Sequence, residues 1–454
     1  MDDVGDGATT RVGAWLTHNL GGRLLRIARQ GRWRPVWFAD LERDGERLGL
    51  CIRGERTDTP LVFPLAHEMR FQALLHEHGI PVPKVHGWID EPAAIVMERV
   101  GGQPDFERSN EAERRAVVDD YLQILARLHA LDLRPFLQAG ILRAGRPGES
   151  GTFGMARYER NYRAAKKHPD PFLEFCLGWL HRNPPDSKGR EAPIVWDSGQ
   201  FHHRDGRVVA LLDLELAHIG DPMMDLAGWR LRDTVIGYGK FTELYARYEG
   251  LTGRPVDLDA IRRHHFAFAL ANQLAFSAAL RDPAPASDLM INLRWCGETN
   301  LFATEALAEM LDIEPPAADL PASSPSRAAP AHRLLMEGLR GLETGDEFVR
   351  YRLHTLFRIA RHVARVDEIG AAVDAADLDD LHRLLGRRPD SWREGEAELE
   401  RFVLADAATG RHDEALVKLF HRRNLRALMV LGPAGSAMTS HMRIQSFGVS
   451  GQAP

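Results

Sequence analysis

Along the chain, apolar positions change period several times, and each change marks an element. Residues 13–29 carry apolar side chains at helical spacing interrupted by Gly21-Gly22, which predicts an entry helix broken at the glycines. Gly31 to Leu41 and Leu48 to Arg53 alternate as two strands of a hairpin turning near Arg43-Asp44-Gly45-Glu46. A short helix over His67 to His76 follows, then a buried strand from Ala93 that runs into Gly101-Gly102. Beyond those glycines the pattern turns helical. Val117, Val118, Tyr121, Ile124, Leu125 and Leu128 fall on one face of a helix over 110–131, with Asn110 as its cap and His129 as a packed, hydrogen-bonded residue. A helical pair is predicted over 153–182 and closed by Pro184-Pro185-Asp186. Further helices are predicted over 239–253 and 257–280 and around Arg294-Trp295. Trp179, Trp229, Phe266 and Trp295 read as core side chains.

The middle of the chain breaks this helical rhythm. Pro193-Ile194-Val195-Trp196 is a short apolar run ending at Asp197, and Asp205-Gly206 is a strong two-residue hairpin signal. Arg207 to Leu212 is then nearly unbroken apolar, as a buried strand is, and it stops at Asp213. If the two runs pair, the carboxylates at their ends lie close together, one suited to positioning a nucleophile and the other to holding a metal. Taken singly, each Asp also suits the plain role of ending a strand.

Residues 313–330 are rich in Pro, Ala and Ser and read as a linker. Residues 331–430 return to helical periodicity. Leu353, Leu356, Phe357, Ala360 and Val363 share one face, as do Leu378, Leu381, Leu384 and Leu385 further on. Residues 431–454 read as a flexible tail.

Composition adds exclusions. A length of 454 residues suits two or three domains, and 44% hydrophobic with 27% charged residues is ordinary for a globular protein. A formal net charge of −6 offers no footprint for nucleic acid or anionic membrane. Cys51, Cys176 and Cys296 are scattered and odd in number, so a disulfide framework is not expected and a reduced, cytoplasmic setting fits. The first residues lack the basic-then-apolar pattern of a secretory leader, and no apolar run approaches the ~18 residues of a membrane span.

The string LLDLELAHIGDPMMDLAGW, with Asp213, Glu215, Gly220-Asp221-Pro222 and Asp225-Leu226-Ala227, resembles the second half of the active site in the aminoglycoside phosphotransferase and choline kinase-like family. The resemblance implies an α+β, bilobal protein-kinase-like fold: a β-rich N-lobe over 13–102 and a helical C-lobe over 103–312. The linker, an appended all-α domain over 331–430 and the tail follow. It further implies an ATP-dependent phosphotransferase that uses Mg²⁺, or Mn²⁺, and acts on a hydroxyl of a small molecule. The acceptor classes are an alcohol metabolite, an aminoglycoside-like compound or a hydroxyacyl-CoA. Asp197 then orients the acceptor hydroxyl, and Asp213 binds metal with Glu215 and His202 as further candidates. Arg53, held by Glu68, pairs with phosphates. Gly31 belongs to the nucleotide-covering turn and Glu98 to the hinge strand. Asp225 and Asp221 support the loops. No nucleic-acid or membrane partner is implied, while the helical C-terminal domain offers a surface for a second copy or a protein partner.

The first half of the pattern departs from the family. Val195-Trp196-Asp197 stands where His-Gly-Asp is usual, and His202 stands where the family has Asn. An Asn carbonyl suits Mg²⁺ better than an imidazole does, so Gln200 is a substitute oxygen donor. The alternative expectation is a kinase-like module that has lost transfer and serves as a nucleotide-binding or scaffold protein.

Overall fold

The computed structural model describes residues 6–56, 59–284, 287–320, 322–431 and 442–447. In chain order the elements are α1 (Asp6–Leu20), β1 (Arg23–Arg29), β2 (Val36–Arg43), β3 (Glu46–Gly54), α2 (Leu65–Glu77), β4 (Val85–Ile89), β5 (Ala94–Glu98), α3 (Glu111–Leu128) and α4 (Leu133–Gln138). Then come α5 (Phe153–Ala165), α6 (Pro171–Arg182), β6 (Ala192–Ile194), β7 (Phe201–Arg204), β8 (Arg207–Leu211), β9 (His218–Gly220), α7 (Pro222–Ile236) and α8 (Phe241–Thr252). The rest is helical: α9 (Leu258–Ala269), α10 (Ala271–Arg281), α11 (Leu289–Leu311), α12 (Ala329–Arg340), α13 (Glu347–Leu385), α14 (Trp392–Asp406) and α15 (Asp413–Met429). Two compact units result. One comprises the described residues of Met1–Gly154, Asp186–Leu258 and Asp346–Val349, and the other those of Met155–Pro185, Asp259–Gly345 and Arg350–Pro454.

The first unit is built on an antiparallel five-stranded sheet in the order β1-β2-β3-β5-β4. Val12 and Leu16 of α1 pack with Trp37, Leu41, Leu50, Ile52, Ile89 and Val96 of the sheet. The entry helix stops earlier than its periodicity predicts. Gly21 and Gly22 take left-handed backbone, and a side chain at Gly22 would meet the Glu42 carbonyl oxygen at 2.2 Å. Residues 23–29 therefore leave as strand β1 rather than as a second helical segment. Two apolar pairs, Leu24-Leu25 and Ile27-Ala28, fit either period, and pairing with β2 decides. The β2–β3 hairpin turns through Asp44 and Gly45, as expected, but β2 begins only at Val36, so residues 30–35 form the turn between β1 and β2.

The expected pairing around the acids is also corrected. The run that ends at Asp197 becomes β6 and pairs with β9, not with the strand that ends before Asp213. That strand, β8, pairs with β7 through the Asp205-Gly206 hairpin. Helix α3 is capped by Asn110, whose side chain accepts from the Glu113 N–H at 2.9 Å, and its predicted apolar face is buried.

In the second unit the single helix predicted over 257–280 is two, α9 and α10, with Leu270 between them. Trp179 packs edge-on against Phe266 with centroids 5.1 Å apart. Met290 and Leu301 of α11 share a cluster with Leu428 and Leu431, and a side chain at Gly297 would come within 2.8 Å of Leu428. Residues expected to belong to the helical lobe and residues expected in an appended domain thus share one core. Helix α13 is continuous over 39 residues. Of its predicted apolar face, Ala360 is buried but Leu356 and Val363 are about half exposed, because the helix is covered mainly through Ile369, Val373, Leu378 and Leu381. Trp295 is 39% exposed, unlike the buried Trp179, Trp229 and Phe266, so it is not a core residue. Most of the tail expected over 431–454 lies outside the described residues. Among the described residues no helix is long and apolar enough to cross a membrane, and the three cysteines are unpaired with one another.

Candidate active site

All the residues of the candidate site lie in the first unit. Arg53 stands next to the end of strand β3 and points at Glu68, in the first turn of α2, with Nε 3.0 Å from Oε1. Glu68 is 3% exposed. A carboxylate buried to that degree needs cationic partners. Burial raises the Glu68 carboxyl above its usual range, and Arg53 and Arg34 oppose that rise. The Arg53 guanidinium also pairs with Asp213 and lies 3.3 Å from Glu215.

Asp213 follows β8 in left-handed backbone (φ 58°), which Asp tolerates better than most residues, and a short 3-10 turn over Leu214–Leu216 carries Glu215 back toward the same arginines. Burial opposes ionisation of Asp213, but Arg53 and then Arg34 outweigh it and hold the carboxyl down to about 2. Asp197 stands beside it through one amide: Gln200 Nε2 donates to Asp197 at 2.6 Å and lies 3.4 Å from Asp213. The other oxygen of Asp197 receives Arg232 from α7. Burial lifts the Asp197 carboxyl above its ordinary value, with Arg232 pulling the other way.

Behind these groups the loop is braced by Asp225, fully buried on α7. Its carboxylate accepts the Trp196 N–H at 2.6 Å and the Val195 N–H at 3.1 Å, and receives His129 Nε2 at 2.9 Å. His129 Nδ1 in turn lies 2.7 Å from the Tyr248 hydroxyl, so this histidine is a packed link. The brace works because α7 comes very close: a side chain at Gly228 would meet the Trp196 carbonyl oxygen at 2.1 Å. Asp221 caps α7, accepting from Met223 N–H at 3.0 Å, and receives a two-pronged bond from Arg190 at 2.9 Å for each prong.

Other expected residues fall elsewhere. His202 is not gathered with Asp213 and Glu215. It sits on β7, and its Nδ1 lies 3.3 Å from the Gly101 carbonyl, because the strand faces the connection after β5. Gly31 lies in the β1–β2 turn and is exposed. The Glu98 side chain is exposed and accepts the Lys84 N–H at 3.4 Å, while its own N–H donates to the Lys84 carbonyl at 2.8 Å. Among the described residues no three His, Cys, Asp or Glu side chains form a metal-binding cluster. Two arginines escaped sequence reading. Arg34 pairs with Glu215 and lies 3.4 Å from Glu68, and Arg232 pairs with Asp197. Neither carries a local signal, since each is one charge among many in an irregular or helical stretch.

The depressed Asp213 carboxyl has a pH signature. Its unfolded value is about 3.9, so its pairing with Arg53 contributes stability above roughly pH 4 that is lost as pH falls toward about 2. Acid unfolding of Asp213→Asn, followed by circular dichroism, should diverge from the parent above that window and converge with it near its lower edge. A constant offset at every pH would contradict the pairing.

Residues 56–262 match a family model described as "Phosphotransferase enzyme family". Over this stretch the chain is similar to that phosphotransferase family. The small sheet and the helices around it have the expected α+β make-up, with the Arg53–Glu68 pair joining a strand of that sheet to the first helix after it. Curated relatives of the chain include "Acyl-CoA dehydrogenase family member 11" of Homo sapiens, 30% identical over 240 residues, 48% of this chain and 30% of the relative. "Acyl-CoA dehydrogenase family member 10" of Mus musculus is 27% identical over 224 residues, 46% of this chain and 20% of the relative. The chain thus spans less than a third of the length of these relatives. Among solved structures, a choline kinase from Streptococcus pneumoniae is similar at 16% identity and TM-score 0.45, covering 66% of this chain and 98% of its own. A macrolide 2'-phosphotransferase from Brachybacterium faecium is similar at 19% identity and TM-score 0.44, covering 60% and 93%.

Proposed function

We propose that the phosphotransferase domain moves the terminal phosphoryl group of ATP to a hydroxyl of a small molecule. What carries this reading is the single amide of Gln200, within 2.6 Å of Asp197 and 3.4 Å of Asp213, beside an arginine fixed by a buried glutamate. Phosphoryl transfer demands positioning and charge neutralisation more than covalent help from the protein. Asp197, whose carboxyl burial raises, receives the acceptor hydroxyl's proton as the acceptor oxygen bonds to phosphorus and the bond to ADP breaks. Arg53, aimed by Glu68, pairs with the phosphates.

The residues fit a hard divalent cation. Asp213 is held ionised, and turning the Gln200 amide over presents its oxygen where the N–H now sits. Asp213, Gln200 and Glu215 are the residues that would hold Mg²⁺ or Mn²⁺, without His202. Such an ion, when bound, neutralises charge on the nucleotide phosphates. Of the acceptor classes, an alcohol metabolite, an aminoglycoside-like compound or a hydroxyacyl-CoA, the names of the curated relatives favour the CoA thioester.

Titration calorimetry with ATP, with and without Mg²⁺ or Mn²⁺, tests the site on the parent chain and Asp213→Ala. Metal-dependent binding that disappears in the variant is the expected result, followed by ADP release when a hydroxyacyl-CoA is added. Binding indifferent to both metal and substitution would favour the second reading, a nucleotide-binding or scaffold module without transfer. The pairing of Asp197 with Arg232 and the departure of His202 from the acids favour that reading.

A further inference from the structure

Arg34 stands in the turn between β1 and β2, ahead of the family-matched stretch, and is held from three sides. Its Nε donates to the Gly54 carbonyl at 3.0 Å, its Nη2 lies 3.4 Å from Glu68 Oε2, and its Nη1 pairs with Glu215. Glu68 therefore orients two guanidinium forks, Arg53 on one oxygen and Arg34 on the other, and both forks also reach Glu215. The side chain of Arg34 is only 11% exposed. In a phosphate-binding turn small residues let successive backbone N–H groups approach the anion. This turn instead carries Trp33, Arg34 and Pro35 beside its single Gly31, so its backbone is poorly suited to that task. The cation it turns inward is the Arg34 side chain.

Resting on the nucleotide reading above, we propose that Arg34 is a second phosphate ligand, parked on Glu68 and Glu215 until nucleotide arrives. Two guanidinium groups face three carboxylates, Glu68, Asp213 and Glu215, so the group carries 2 − 3 = −1 net charge. Asp213 and Glu215 would hold a divalent cation through the oxygens that the two arginines now occupy, and would then release both. The displaced forks remain tethered at Glu68, facing the phosphates that arrive with the cation. A planar guanidinium matches two phosphate oxygens at once, which an ammonium does not. Side-chain charge thereby replaces the missing glycine-rich cradle.

The test is titration of the full chain and of Arg34→Ala and Arg34→Lys with Mg²⁺–ATP, alongside the thermal midpoint of each without nucleotide. The expected result is an ATP affinity at least about tenfold weaker in Arg34→Ala, with a lowered midpoint because Glu68 and Glu215 lose a cation, and both partly restored in Arg34→Lys. Unchanged ATP affinity in Arg34→Ala would overturn the clamp and leave the nucleotide site standing. Weakening that comes with a lowered midpoint and no rescue by Lys would also overturn it, in favour of a structural tie between turn and helix. Failure of the parent chain to bind ATP at all would overturn both.

Discussion

Asp197→Asn is expected to slow phosphoryl transfer by on the order of 10²–10⁴-fold while leaving the fold intact. The substitution keeps the shape of the side chain and an oxygen for Arg232 or Gln200 to reach, but it removes the group that takes the hydroxyl proton. Arg232 loses a charged partner, yet its side chain is 30% exposed and water compensates for most of that loss. The variant should therefore melt with the parent while ADP release, measured in a coupled assay with acceptor present, falls to near background. Turnover within a few-fold of the parent would remove Asp197 from the reaction and, with it, the assignment of roles around Gln200.

Asp225→Ala is expected to be the most damaging single change to stability, at about 3–5 kcal/mol. Its carboxylate is completely buried and accepts from two backbone N–H groups and one histidine. Removing it strands all three donors away from water, and each unmet donor costs about 1–3 kcal/mol. The N–H groups belong to Val195 and Trp196, and Trp196 takes left-handed backbone (φ 61°) that a bulky side chain adopts only when its surroundings impose it. Loss of the brace thus frees the loop that presents Asp197, so activity and stability should fall together. Asp225→Asn, which keeps one acceptor oxygen, should sit between. Urea denaturation gives the number. A cost below about 1 kcal/mol would mean that the loop finds other acceptors, against the closed packing of α7 upon it.

Some of this site was readable because the signals are local. Asp205-Gly206 takes the positive φ angles a tight hairpin needs, and the apolar run before Asp213 is too continuous for an exposed strand. Asn110 and Asp221 each bond to an N–H two or three residues on, a relation that needs no knowledge of the rest of the chain. The pairing of Glu68 with Arg53 is implied by the family resemblance, and the fold brings the two together. Where sequence reading failed, two periods or two partners competed. Residues 23–29 suit a helix or a strand, and β6 has apolar neighbours on either side from which to choose.

What the sequence by itself determined is therefore many of the elements, the acids at their ends and the family pattern from Asp213 to Ala227. The tertiary structure decided which of those acids meet and what faces them. It paired β6 with β9 and turned His202 toward Gly101, leaving Gln200 between Asp197 and Asp213. It brought Arg34 onto Glu215 across 181 residues and Arg232 onto Asp197 across 35. The physical reason is range. Turn, cap and strand preferences act over a few residues, whereas a guanidinium and a carboxylate find each other only once sheet and helix packing has closed the long loops between them.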